Sequence, residues 1–152
     1  MSLSSRPLFK LTIEVHAPID LGACPAGGRQ IFAVSGGRFV GERLRGEICP
    51  LIGSDLLVAR HDGTFRQDVR MLLLTDDGAK VLMTYSGVRR ASAEVVDRLA
   101  RGEAVDPSEY YLRTVPFFET SSSDYAWLNG VVSIGMGARV PGGVEYDVFE
   151  VL

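Results

Sequence analysis

Residues 62–79 read DGTFRQDVRMLLLTDDGA. Asp62–Gly63 and Asp77–Gly78 are strong hairpin signals, because glycine accepts the positive φ that tight turns between antiparallel strands require. Between them Thr64–Thr75 is a long candidate strand, and Ala79–Arg89 pairs back along it. Period two puts Asp68, Arg70, Leu72 and Leu74 on one face, with Val69, Met71 and Leu73 on the other. A long strand with a tight turn at each end sets the class of the fold as antiparallel β.

The same period continues outward. Leu8–His16 follows Pro7, Gln30–Ser35 and Arg38–Val40 flank Gly36–Gly37, and Leu44–Cys49 stops at Pro50. Asp55–Arg60 leads into the first hairpin, while Tyr110–Thr120, Val131–Met136 and Val144–Val151 complete the strands downstream. One segment is helical, about Ser92–Arg101. In SAEVVDRLARGE, Ser92 can cap, Val95, Val96 and Leu99 share a face, and Gly102 stands at the stop. Short strands separated by turn signals, with one helix, predict an all-β protein: a single antiparallel β-barrel with one short helix. Residues 1–7 read as a disordered leader and 8–152 as the barrel domain. Side chains alternate across each strand, so such a barrel has an interior to fill with packed residues or with one small ligand.

Composition excludes several classes. The 152 residues suit one domain, and 46% hydrophobic with 23% charged residues is a soluble globular balance. With a net charge of −3 and no Lys/Arg run, no nucleic-acid partner is expected. Apolar runs fall far short of the roughly 20 residues that span a bilayer, and no signal peptide is visible, so a cytoplasmic protein without a membrane partner is expected. Cys24, Cys49, His16 and His61 are the only Cys and His residues, and their spacing matches no zinc pattern. No phosphate loop and no catalytic triad spacing occurs. The expectation is therefore no metal and no cofactor.

Chemistry-bearing residues concentrate on two strands and the stretch that follows. On Tyr110–Thr120, Tyr111, Arg113, Val115, Phe117 and Glu119 share one face, and Leu112, Thr114, Pro116, Phe118 and Thr120 the other. Pro116 argues for an edge, a bulge or a bend. Arg113 and Glu119 lie about 20 Å apart on a straight strand at roughly 3.3 Å per residue, so each needs a partner elsewhere. Asp68 for Arg113 and Arg70 for Glu119 would make a neutral interior of two acids and two guanidiniums. The competing reading of Asp68 and Arg70 is an exposed ion pair. An inward Glu119 beside Phe117 and Phe118 would rise in pKa and serve as acid or base, with Arg113 as an anion clamp. Tyr85 and Tyr111 could donate to an oxyanion. Trp127 could wall the pocket or plug the barrel, and Asn129 could orient a carbonyl or simply make a turn.

The blocks DGTFRQDVRMLLLTDDGA (62–79), YYLRTVPFFET (110–120) and YAWLN (125–129) resemble those of an uncharacterised family, domain of unknown function three-two-three-seven, also named uncharacterised protein family three-one-one. GGRFVGERLRGEICP (36–50) and RLARGEAVDPSEYY (98–111) support the resemblance. It implies a barrel similar to allene-oxide-cyclase-like and calycin-like barrels, and no established activity. One departure stands out. A PGGADW-like turn of the family is PLIGSDLL here, with Leu51–Ile52 in place of two glycines, while Asp55 still matches. Three functions fit these residues. The first is a cofactor-independent isomerase, cyclase or lyase for a small carbonyl or carboxylate compound. The second is a carrier of a small apolar ligand. The third is a structural module that forms a homo-oligomer through its strand edges.

Overall fold

The structure is a computed structural model that describes residues 2–152. The stretch bracketed by the two Asp-Gly pairs forms β5 (Phe65–Thr75). Gly63 and Gly78 take φ of 80° and 91°. Asp62 Oδ1 accepts from the Thr64 N–H at 3.0 Å, and the Gly78 N–H donates to the Thr75 carbonyl at 2.9 Å. Val69, Met71, Leu73 and Thr75 are buried on the inner face.

The other strands are β1 (Ser5–Val15), β2 (Ile19–Cys24), β3 (Gly27–Val40), β4 (Arg45–Ala59), β6 (Lys80–Arg90), β7 (Tyr111–Glu119), β8 (Ser133–Val140) and β9 (Gly143–Val151). The order is β1-β9-β8-β7-β6-β5-β4-β3, and β1 also pairs with β3, so eight antiparallel strands close into a barrel. β2 lies outside and pairs with β3. The helix α1 (Ala93–Ala100) starts where Ser92 Oγ accepts from the Val95 N–H at 3.3 Å, and it buries Val95. No helix of the described residues is long and apolar enough to cross a membrane.

Several elements differ from expectation for local reasons. β1 starts at Ser5, with Ser5, Arg6 and Pro7 opposite Val151, Glu150 and Phe149, so the expected leader is partly a barrel strand. β2 has no alternation to announce it; IDLGAC is exposed nearly throughout. β3 runs through Gly36–Gly37, where the Thr12 carbonyl lies too close to Gly37 for any Cβ. β4 runs through Pro50 by way of a bulge between Ile48 and Gly53, in which Leu51 takes φ 65°. Pro116 causes no register shift against β6. It sits beyond the two-pair β7–β8 ladder, where the Ser133 hydroxyl donates to its carbonyl at 2.7 Å.

One end of the barrel is plugged. Phe9 packs its ring against Phe39 and Phe118, with centroids 5.7 and 5.8 Å apart. A 3₁₀ turn, Ala126–Gly130, inserts Leu128, which is 0% exposed.

Candidate active site

The opposite end is open. A cavity of about 60 Å³ is lined by residues of all eight barrel strands. Ile13, Val15, Phe32, Val34, Leu57, Val69, Leu112 and Val144 give it apolar walls. Into these walls are set Asp55, Gln67, Tyr85, Arg89 and, at the exposed rim, Arg139.

The bulge in β4 decides that Asp55 is among them. Ile48 faces inward opposite Leu73, and strict alternation from Ile48 would send Asp55 outward. Between the Ile48–Leu73 and Gly53–Met71 pairs β4 carries four residues, Cys49–Ile52, opposite the single Leu72 of β5. An excess of three, an odd number, reverses the parity, so Asp55 stands opposite the buried Val69 instead. Glycines make room for the larger polar groups. A Cβ on Gly87 would meet Gln67 Oε1 at 2.4 Å, and one on Gly137 would meet the Tyr146 ring at 2.5 Å. Gln67 Nε2 donates to the Tyr146 hydroxyl at 3.0 Å, and the Tyr85 and Tyr146 rings meet edge to face at 5.6 Å. The Arg89 guanidinium lies 4.2 Å from the Phe65 ring centroid. Gln67 Oε1 and Arg89 Nε are buried with no hydrogen-bond partner among the described residues.

This setting retunes the groups. Loss of hydration drives the Asp55 carboxyl up to about 7, outweighing the Asp68 N–H that it accepts at 3.2 Å and the pull of Arg89 and Arg139. Burial lowers Arg89 to about 10, with Arg139 adding repulsion. It raises Tyr146 to about 12 and pushes Tyr85 well above the usual phenol range, with the nearby Tyr146 and Asp55 adding to the rise. A carboxyl that changes charge near neutrality, sharing an apolar pocket with the protonated Tyr85 phenol and a guanidinium, is equipped to move a proton and to stabilise an oxyanion.

Of the residues expected from sequence, only Tyr85 lines this cavity. The expected common interior of Asp68, Arg70, Arg113 and Glu119 is corrected: their shared-face parities hold, but both faces point outward. The inner face of β7 carries Leu112, Thr114, Pro116 and Phe118, and that of β5 carries Val69, Met71 and Leu73. Asp68 and Arg70 pair with each other at 3.1 Å with side chains 50% and 62% exposed. Glu119 is exposed, opposite Leu82, and Tyr111 is on the outer face of β7. Trp127 packs beside the plug with the Arg43 guanidinium 3.9 Å over its ring. Asn129 clamps Thr120, accepting from its N–H at 2.8 Å and donating to its carbonyl at 3.0 Å. Asp55, Gln67, Arg89, Tyr146 and Arg139 were missed. For Asp55 one signal existed, an aspartate matching the family turn in a segment that otherwise departs from it. Among the described residues no group of three His, Cys, Asp or Glu side chains is placed to hold a metal ion.

The model of a family described as "Protein of unknown function (DUF3237)" matches residues 3–151. The UPF0311 protein RPA1785 of Rhodopseudomonas palustris is 33% identical over 151 residues, spanning 99% of this chain and 98% of that protein. Its crystal structure superposes with a TM-score of 0.96, covering 100% of this chain and 99% of that one. A beta-barrel like protein from Acinetobacter baumannii AYE shares 37% identity with a TM-score of 0.86, covering 100% of this chain and 98% of that one. A protein from Penicillium herquei described as an enzyme has a TM-score of 0.76 at 22% identity, over 100% of this chain and 96% of that one, a likeness of fold alone.

Proposed function

The chain belongs to the DUF3237 family of proteins of unknown function, and from that premise we propose that its barrel is a cofactor-independent proton-transfer enzyme for a small enolisable carbonyl or carboxylate compound, an isomerase, cyclase or lyase. The observation that carries this reading is Asp55, held near neutrality in an apolar cavity that Tyr85 and Arg89 also line. The Asp55 carboxylate takes a proton from the carbon beside the carbonyl. The C–H electron pair moves to form the enolate, whose negative charge falls on oxygen. Tyr85 donates a hydrogen bond to that oxygen, and Arg89 with Arg139 pairs with the anionic end of the substrate. Return of the proton from Asp55 to a different atom completes an isomerisation. The fold is compatible with catalysis, since a protein sharing it is described as an enzyme.

Apolar walls favour a second reading, a carrier of a small apolar ligand. One experiment separates the two. Small keto acids and phenolic ketones are incubated with protein in D₂O, and loss of the proton beside the carbonyl is followed by NMR, with binding followed by thermal shift. Wild type is expected to exchange that proton, while Asp55→Asn still binds and exchanges at least about a hundredfold more slowly. Binding by both proteins without exchange in either supports the carrier. Exchange undiminished in Asp55→Asn removes Asp55 from the mechanism.

A further inference from the structure

The outer wall of β5, β6 and β7 gathers three guanidiniums. Arg66 stands opposite Val88, and Val88 opposite Arg113, so two strand spacings of about 4.8 Å separate the backbones of the two arginines. Arg90 stands opposite Tyr111 on the same face. The Tyr111 ring organises the group, with the Arg90 guanidinium 4.8 Å and the Arg113 guanidinium 4.9 Å from its centroid.

Among the described residues, none of the three has a carboxylate within ion-pairing distance. Asp68, on the same face of β5, is held by Arg70 at 3.1 Å, and Glu109 is held by Arg98 at 2.9 Å. This is a concentration of positive charge in a chain whose net charge is −3. Three arginines crowded within about 10 Å repel one another unless an anion joins them. Arg66, Arg90, Tyr111 and Arg113 line one groove, and the Ser86 and Thr64 side chains lie along it.

We propose that Arg66, Arg90 and Arg113 form an anion site on the outer wall that takes a small soluble ligand bearing two or more linked phosphates. Each guanidinium presents a planar fork that matches phosphate oxygens two at a time. A single carboxylate has too few oxygens to answer three forks, whereas a diphosphate offers a row of them. Stacking on the Tyr111 ring uses the faces of the Arg90 and Arg113 guanidiniums and leaves their N–H edges to a ligand, apart from the one Arg113 N–H that donates to the Leu112 carbonyl at 2.8 Å. The site is separate from the cavity: Arg89 turns inward and its chain neighbour Arg90 outward.

The test is titration calorimetry with inorganic pyrophosphate at constant ionic strength. Wild type is expected to bind one equivalent. Arg90→Gln combined with Arg113→Gln should weaken binding at least about tenfold, and Arg113→Lys, which keeps charge but loses the fork, should fall between. Arg101→Gln, at an exposed arginine paired with Glu103, should bind as wild type does, and so should Asp55→Asn. Circular dichroism checks that each variant is folded, and if the double variant is not, Arg113→Lys alone is the deciding comparison. Absence of binding to wild type overturns the proposal. So does a folded Arg90/Arg113 variant, or Arg113→Lys where that decides, that binds within about twofold of wild type, or sulfate binding as tightly as pyrophosphate.

Discussion

Asp55 shares its cavity with Leu57, two residues along β4, and Val69, opposite it on β5, and it accepts a single backbone N–H from Asp68. Its carboxyl titrates near 7 when folded and near 3.8 without its surroundings. The folded state therefore binds this proton more tightly than the unfolded chain does. Below the lower value both states are protonated and Asp55 costs nothing. As pH rises toward the upper value the native carboxylate loses stability relative to the unfolded one, by at most about 4 kcal/mol at 1.36 kcal/mol per pKa unit. Asp55→Asn keeps an acceptor for the Asp68 N–H and carries no charge. The variant should match wild type in stability near pH 4 and exceed it increasingly toward pH 8, as measured by urea unfolding across that range. A constant difference would show that Asp55 is not desolvated. The remaining cavity groups obey the same physics: burial favours the uncharged form, so both phenols keep their protons at neutral pH.

At the scale of the element, the β4 bulge is the device that turns Asp55 inward. Leu51 occupies the left-handed region at φ 65° and is 80% exposed. Its Cβ crowds the following carbonyl oxygen there, at a cost of roughly 1–2 kcal/mol. Leu51→Gly removes that strain, offset in part by roughly 0.5–1 kcal/mol of added chain entropy. A net gain of about 0.5–1 kcal/mol is expected, seen as a Tm higher by a few degrees in calorimetry, with Asp55 still inward. A lower Tm would mean that the Leu51 side chain contributes more than its backbone costs. Strand existence and parity on β5 and β7 were legible in the sequence, since alternation and two Asp-Gly turns specify them locally. Which of the two faces points inward was not. Arg113, Phe117 and Glu119 share a face in either case, and only packing against Phe9, Leu128 and Tyr146 assigns the Leu112–Phe118 face to the core.

The whole molecule divides its two ends between different tasks. Phe9, Phe39, Phe118 and Leu128 fill one end, so FFETSSSDYAWLN (117–129) serves chiefly to close the barrel. Leu128→Ala should cost about 2–5 kcal/mol through the void it leaves. Because it acts far from the mouth, it should leave the pH dependence of the Asp55→Asn difference unchanged. Differential scanning calorimetry of Leu128→Ala, alone and with Asp55→Asn, checks both statements; failure of the two effects to add would mean that the ends are coupled. An antiparallel barrel with one capped helix, and the sets of residues that share a face, were legible in the amino-acid order, because turn chemistry and period two act over a few neighbouring residues. Which face is inner and which end is open follows from closure of the barrel. The same closure brings Asp55, Gln67, Tyr85 and Arg89, from three separate strands, to one cavity, with Tyr146 against Gln67 and Tyr85 beside it. Closure of the barrel and the parity reversal across Cys49–Ile52 act between strands, and no local pattern records them.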